Sequence, residues 1–130
     1  MRTLSLGILA EGSTDIQFFS VLLARFSDRV IRSKGHHPVD VADPVALPGR
    51  PHADTFQQVM MEYGRALDIV VVHTDANSNE ERAFAERIDP WFALVSDVFN
   101  ARQRSLVAVV PVRETEAWLL CDIDALNRVF

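Results

Sequence analysis

The sequence predicts a single α/β domain, a three-layer α/β/α sandwich whose mostly parallel sheet has about four strands. Three apolar runs, at 4–10, 67–74 and 106–112, each lead into a polar or acidic turn. Segments with apolar residues at helical spacing lie between these runs and after the last one. Strands that alternate with helices form parallel sheets covered by helices, because consecutive parallel strands need a crossover connection.

The first run, Leu4–Ala10, is nearly continuous in apolar residues, which is typical of a strand covered on both faces. It ends at Glu11-Gly12. Thr14 is expected to cap the helix that follows, with Gln17 completing a capping box. The helix is indicated by apolar residues at helical spacing, which are Ile16, Phe19, Leu22, Leu23 and Phe26.

The middle of the chain predicts one weak strand, two helices and one strong strand. In order, these are a short strand at 39–42, a helix at 54–66, a strand at 67–74 and a helix at 80–102. The proline-rich stretch 48–51 indicates a turn before the first of these helices. Because proline cannot donate a helical hydrogen bond, a bend is expected at Asp89-Pro90 in the second helix.

The last part of the chain predicts a strand and a helix. Pro111 lies near the end of the strand at 106–112, so the strand pairing is expected to stop there. The pattern at 114–130 is helical and runs to the last residue without a glycine or proline stop. The sequence is therefore compatible with a longer natural product.

The composition is ordinary for a globular domain of 130 residues, with 48% hydrophobic and 24% charged residues. The net charge of −5 lacks the basic excess that is usual in nucleic-acid binders. The lone cysteine, Cys121, excludes an internal disulfide and any all-cysteine metal site. The N-terminus lacks the pattern of a secretory signal and no apolar run reaches about 18 residues, so a cytoplasmic location without a membrane partner is expected.

Acidic or amide side chains follow all three apolar runs. The candidate metal ligands are Glu11, Asp75, Asn77, Glu114 and Glu116. In a parallel sheet the carboxyl ends of the strands lie at one edge, so these side chains are expected to meet there. Clustered carboxylates repel one another unless a cation lies between them, and an oxygen-only ligand set favours Mg²⁺ or Mn²⁺.

Each candidate also has a purely structural explanation. Glu11 could be a polar strand terminus, and Asp75 could close an Asx-turn. Asn77 is a common turn residue. The acids at 114 and 116 could complement a helix dipole. For two further residues near these candidates, a structural role is favoured. Asp15 suits the first turn of a helix, and His73 suits the packed end of a strand.

Three motifs carry a resemblance to a known family. They are Glu11-Gly12-Ser13-Thr14-Asp15, then Asp75-Ala76-Asn77, then Glu114-Thr115-Glu116-Ala117-Trp118-Leu119. In this order, each after a predicted strand, they resemble the Toprim (topoisomerase–primase) domain. The resemblance is closer to the OLD-nuclease-like Toprim proteins of bacteria, and among them to an uncharacterised family with an EGxT(E/D) start and an ExEAWL finish.

The resemblance implies roles for the acidic residues. Glu11 matches the first-motif glutamate, which acts as a metal ligand or as a general acid or base. Asp75 and Asn77 match the DxD pair that binds Mg²⁺. The chain departs from the family here because the second acid is an asparagine, and Glu116 is a candidate to supply the missing charge.

The function expected from these observations is Mg²⁺-dependent hydrolysis of phosphodiester bonds in DNA or RNA, with Glu11 and Asp75 as catalytic residues. The resemblance implies a setting in phage or mobile-element defence and an ATPase as partner protein, and a homodimer is a further option. Two alternatives remain open from the sequence. One is a non-catalytic module of an ATPase-associated system that binds metal or a partner, and the other is a small-molecule phosphohydrolase.

Overall fold

A computed structural model describes residues 2–34, 39–101 and 105–111 of the chain. The central sheet contains the strands β2 (Leu6–Leu9), β4 (Val45–Ala46), β5 (Ile69–His73) and β6 (Ser105–Val109). These strands are all parallel and lie in the order β4-β2-β5-β6. A separate parallel pair is formed by β1 (Arg2–Leu4) and β3 (Val39–Val41). The predicted α/β class with about four mostly parallel strands is confirmed.

Four α-helices accompany the sheet in the described part of the chain. They are α1 (Ser13–Lys34), α2 (Phe56–Glu62), α3 (Glu80–Ala83) and α4 (Asp89–Ala101). A 3₁₀ turn, Gly64–Ala66, follows α2, and a π-helical turn, Phe84–Ile88, joins α3 to α4. None of these described helices is both long enough and apolar enough to cross a membrane.

The two faces of the sheet are covered by different helices. Side chains alternate between the faces along a strand. Ile8 of β2 therefore packs against Phe19 of α1 in a smaller cluster, while its neighbour Leu9 belongs to the larger core. That larger core contains Phe56 of α2 and Trp91 of α4. The result is three layers, with α1 on one face and α2 and α4 on the other.

The predicted first strand at 4–10 is in fact two strands, because the chain leaves β1 at Ser5 and enters β2. Ser5 bonds to Asp68 just before β5. The backbone N–H and the hydroxyl of Ser5 donate to Asp68 Oδ2 at 2.9 and 3.1 Å, and the Asp68 N–H donates to Ser5 Oγ at 3.0 Å. We call this the Ser5–Asp68 clamp. It ties the starts of the two central strands together.

Two further features differ from the sequence prediction. The edge strand β4 was not predicted, because two residues are too few to form a pattern. The prediction that Thr14 caps the first helix is wrong. The helix α1 begins at Ser13, and the Ile16 N–H donates to the Gly12 carbonyl at 3.1 Å. Thr14 therefore lies inside the first turn, where it cannot act as the cap.

The interruption expected at Asp89-Pro90 takes the form of the π-helical turn. Pro90 has no N–H, and its ring would clash with the carbonyl four residues earlier, which is that of Glu86. The helix widens by one residue before the proline, so that the Asp89 N–H donates to the Phe84 carbonyl. Arg87 lies within this turn and points towards the carboxyl ends of the strands.

The predicted strand at 106–112 is too long at its end, because β6 ends at Val109 and its pairing stops two residues before Pro111. The predicted helix at 114–130, with Glu114 and Glu116, lies outside the described residues.

Replacing Phe56 by alanine is expected to destabilise the fold by about 3–5 kcal/mol, the usual cost of truncating a buried phenylalanine. Phe56 is fully buried and stacks on Trp91 with ring centroids 5.6 Å apart. Denaturant unfolding measures the change. Leu94→Ala is the matched control, because Leu94 of α4 is an exposed apolar residue and should change stability by less than about 0.5 kcal/mol. Equal losses in the two variants would contradict this assignment of the core.

Candidate functional site

Glu11 and Asp75 follow the neighbouring strands β2 and β5 at the same edge of the sheet. The strands pair with Leu9 opposite Val72, and continuing this register by two residues brings Glu11 opposite Thr74. The Thr74 hydroxyl donates to Glu11 Oε1 at 2.8 Å. The first predicted acid is therefore bonded to the residue that immediately precedes the second.

Arg87 joins this pair from the π-helical turn. Its Nη1 donates to Thr74 Oγ1 at 2.6 Å, and its Nη2 donates to the carbonyl oxygen of Asp75 at 2.7 Å. Because a guanidinium has no acceptor, the Thr74 oxygen must accept from Arg87 and direct its own proton to Glu11. Arg87 Nη1 also lies 3.9 Å from Glu11 Oε1, so the guanidinium partly balances that carboxylate.

His73, the last residue of β5, is fully buried and lies between two carboxylates. Its ring packs against Phe19 of α1 with centroids 5.0 Å apart, so it is the packed strand-end histidine that was expected. Nδ1 lies 3.9 Å from Asp15 Oδ2, and Nε2 lies 3.4 Å from Asp75 Oδ1. Asp15 does occupy the first turn of α1, as expected, but it also faces this site. We call Glu11, Asp15 and Asp75 the acidic edge.

The pKa of Asp75 is raised above the usual value for an aspartate. Burial is the main cause, because it removes water from the charged form. His73 opposes the shift, while the carboxylates of Glu11 and Asp15 add to it. The charged form of Asp75 is therefore disfavoured in this structure, and a cation bound beside it would favour that form.

Glu11 and Asp75 could each offer carboxylate oxygens to a divalent cation. Among the residues that the structure describes, no group of three or more His, Cys, Asp or Glu side chains is placed to hold a metal ion. Mg²⁺ commonly takes only one or two protein carboxylates and keeps several waters. Glu11 and Asp75 are therefore the two described carboxylates that such an ion would use.

Asn77, the third predicted ligand in this part of the chain, lies two residues beyond Asp75 in an exposed turn. Its φ of 51° and the φ of 73° at Ser78 are both in the left-handed region. Asparagine tolerates this conformation better than most residues, so the turn alone accounts for it. The next asparagine, Asn79, caps α3 by accepting from the Arg82 N–H at 3.0 Å.

The chain beyond β6 starts beside the acidic edge. The Ala76 N–H donates to the Pro111 carbonyl at 2.9 Å, and the Thr74 N–H donates to the Val109 carbonyl at 3.2 Å. Glu114 and Glu116 lie outside the described residues. Glu114 follows Pro111 by three residues, so an extended chain could carry it at most about 10 Å from that point.

A cleft of about 480 Å³ lies elsewhere in the molecule, at the start of β6. Its lining residues include Phe92, Ser96, Phe99, Asn100 and Leu106. Of the predicted site residues that the structure describes, Glu11, Asp75 and Asn77 do not line it, so it does not enclose the acidic edge.

Arg87 and Thr74 are the residues that sequence reasoning missed. No motif singles out Arg87, because its position depends on the π-helical turn. Thr74 had a weak signal, as a hydroxyl residue between a strand and a candidate ligand.

Replacing Asp75 by asparagine is expected to raise the melting temperature at pH 7. Because the pKa is higher in the folded state, folding binds extra protons and stability falls as pH rises past the unfolded value. The advantage of the asparagine should therefore shrink as pH falls from 8 towards about 4, because aspartate is protonated in both states below that value. Thermal unfolding from pH 4 to 8 measures it. Asp28→Asn, which removes an exposed carboxylate paired with Arg32, is the control and should not show this trend.

Replacing Thr74 by valine is expected to cost about 1–3 kcal/mol, because it leaves polar groups of Glu11 and Arg87 without their shared hydroxyl. Thr74→Ser retains that hydroxyl and should lose less. Denaturant unfolding of both variants tests the network. If the valine variant is as stable as the serine variant, the Thr74 hydroxyl does not stabilise the fold by joining Glu11 to Arg87.

Comparison with known proteins gives no family assignment. No protein-family model matches the chain, and neither a curated protein nor a solved structure matches it. The Toprim resemblance of the three motifs stays a prediction, and the functional argument depends on the geometry of the acidic edge.

Proposed function

We propose that the protein hydrolyses phosphodiester bonds in DNA or RNA with the help of Mg²⁺ or Mn²⁺. The observation that carries this proposal is the hydrogen bond from Thr74 to Glu11, which joins the carboxyl ends of the two central strands. Ligands and catalytic groups of open α/β sheets lie at this edge. The Toprim resemblance of the same residues supports the same reaction, in a cytoplasmic defence role.

Glu11 and Asp75 would hold the cation. When bound, such an ion can activate a water molecule and neutralise charge on the scissile phosphate. Thr74 fixes one oxygen of Glu11, which leaves the other oxygen available to the site. Arg87 anchors the backbone at Asp75, and His73 Nε2 lies 3.4 Å from Asp75 Oδ1, so both acids have defined neighbours before substrate arrives.

The electrostatics of the acidic edge support a cation-dependent reaction. A phosphate group would be repelled by Glu11, Asp15 and Asp75 together. Arg87 supplies one positive charge, but both terminal nitrogens of its guanidinium already donate to Thr74 and Asp75. Glu114 and Glu116 are proposed as further ligands, with Asn77 assisting through its amide oxygen.

The second candidate function is a non-catalytic module that binds metal or a partner protein, such as the ATPase implied by the resemblance. A specific observation favours it. Asn77 occupies an exposed turn in a conformation that asparagine adopts readily, so the residue that breaks the family pattern has a structural explanation. A homodimer fits either function.

Glu11→Gln is expected to lower cleavage of plasmid DNA or RNA by about 100-fold or more in the presence of Mg²⁺ or Mn²⁺. The change removes the charge of Glu11 while keeping an oxygen that can accept from Thr74. Gel assays of single-turnover cleavage measure the rate. Glu80→Gln, which alters an exposed acid in the first turn of α3, is the matched control and should leave the rate unchanged.

Three results separate the candidates. Cleavage that Glu11→Gln abolishes supports the nuclease. Equal cleavage by the wild type and Glu11→Gln would falsify the mechanism. No cleavage by the wild type, together with Mn²⁺ binding that is lost in Glu11→Gln, would favour the binding module.

A further inference from the structure

A row of arginines lies on the outward side of the second half of α1. Arg25, Arg29 and Arg32 follow one another at spacings of four and three residues, so they lie on one side of the helix. All three residues are exposed. We call them the arginine row. Only one acid, Asp28, lies between its first and last members, so this part of α1 is basic although the chain carries a net charge of −5.

Structural roles account for Arg32 but not for the other two arginines. Arg32 Nε lies 3.1 Å from Asp28 Oδ2. Arg32 is also in the last turn of α1, where a cation suits the negative end of the helix dipole, and this effect is confined to that turn. Arg25 and Arg29 come before it, and no acid in the described ranges lies within ion-pair distance of either. Both are therefore available to an anionic ligand.

Exposed apolar residues border the arginine row. Leu22 precedes Arg25 by three residues and Phe26 precedes Arg29 by three, so each lies next to an arginine on the helix surface. Their exposed fractions are 43 and 62%. Proteins that bind single-stranded nucleic acids combine positive charges, which contact the phosphates, with aromatic rings on which bases stack. The second half of α1 offers both groups side by side.

The arginine row belongs to the helix that leaves the acidic edge. α1 begins at Ser13, two residues after Glu11, and Asp15 of its first turn is part of that edge. At 1.5 Å per residue, Arg25 lies about 18 Å along the helix axis from Ser13, and Arg32 about 29 Å. A nucleic-acid chain lying along α1 would cover this distance with a few nucleotides.

We propose that the outward side of α1 binds single-stranded DNA or RNA, with Arg25 and Arg29 on phosphates and Phe26 stacked on a base. The inference rests on the proposed function, because the bound chain would be the substrate of the acidic edge. Single-stranded nucleic acid fits better than a duplex, since Phe26 needs a base that is not already stacked within a helix. The positive charge is also placed away from the acidic edge, which would repel the phosphates.

A lipid surface is the competing ligand for arginines beside apolar side chains. A helix that inserts into lipid buries its apolar face, while its cations lie on the polar face. In α1 the less exposed residues Ser27 and Ile31 face the protein. Arg25 and Arg29 lie about 160° around the helix from Ser27 and Ile31 respectively, so the arginines point outward and Phe26 lies to their side. This order favours phosphates along a nucleic-acid chain.

Binding measured without divalent cations tests the inference separately from catalysis. Fluorescence anisotropy in EDTA, with labelled single-stranded DNA and RNA of about 15 nucleotides, gives the affinity at several salt concentrations. The wild type should bind, and the double variant Arg25→Gln/Arg29→Gln should bind at least about tenfold more weakly. Because two phosphate contacts are lost, the slope of log K against log salt concentration should become less steep by about 1.4.

Two further variants separate stacking from charge. Phe26→Ala should weaken binding by about fivefold or more with an unchanged salt slope, because it removes a ring and no charge. Arg50→Gln/Arg65→Gln is the matched control, since it removes two exposed arginines that lie outside α1. It should leave both the affinity and the slope unchanged. Thermal unfolding checks that each variant is folded.

No binding by the wild type would overturn the inference, and so would equal binding by the wild type and Arg25→Gln/Arg29→Gln. Binding only to vesicles rich in phosphatidylserine, lost in the same variant, would make lipid the ligand instead. Cleavage assays keep this inference apart from the proposed function. Binding that needs the arginine row in a protein that cleaves nothing would retain the surface and remove the nuclease. Cleavage lost in Glu11→Gln but independent of Arg25 and Arg29 would retain the nuclease and remove the surface.

Discussion

The parallel pairing of β2 with β5 determines the arrangement of the whole site. One register, in which partners differ by 63 positions, relates both ends of this pair. It brings Ser5 beside Asp68 where the strands start and Glu11 beside Thr74 where they end. A slip by one residue would turn every side chain of one strand to the other face, and would separate Glu11 from Thr74.

Arg87 depends on a different constraint, which comes from Pro90. The proline has no N–H to donate, so the helix before it adopts a π-helical turn, and Arg87 lies in that turn. Its guanidinium then reaches Thr74 and Asp75. The backbone effect of Pro90 thus supports the hydrogen bond between Thr74 and Glu11, although Pro90 lies in a helix and Glu11 follows β2. Turns of this π-helical kind are frequent at functional sites.

Sequence reasoning could predict the parallel sheet and the nearness of Glu11 to Asp75, because apolar runs followed by acids report strand ends directly. It could not predict β4, whose two residues carry no periodic signal. It also did not predict that the Asp15 side chain faces His73, because this depends on how α1 packs over the sheet. The position of Arg87 could not be predicted for a similar reason. Its direction depends on the π-helical turn, whereas a helical sequence pattern assumes regular α-helical spacing.

The Ser5–Asp68 clamp lies at the opposite end of the strands from the acidic edge. The clamp therefore helps to align the two central strands at a point remote from Glu11, Asp15 and Asp75. A change of charge at Glu11, Asp15 or Asp75 would leave the hydrogen bonds of the clamp in place. The two ends of the β2–β5 pair thus differ in chemistry, with a compact serine–aspartate contact at the start of the strands and clustered acids at their carboxyl ends.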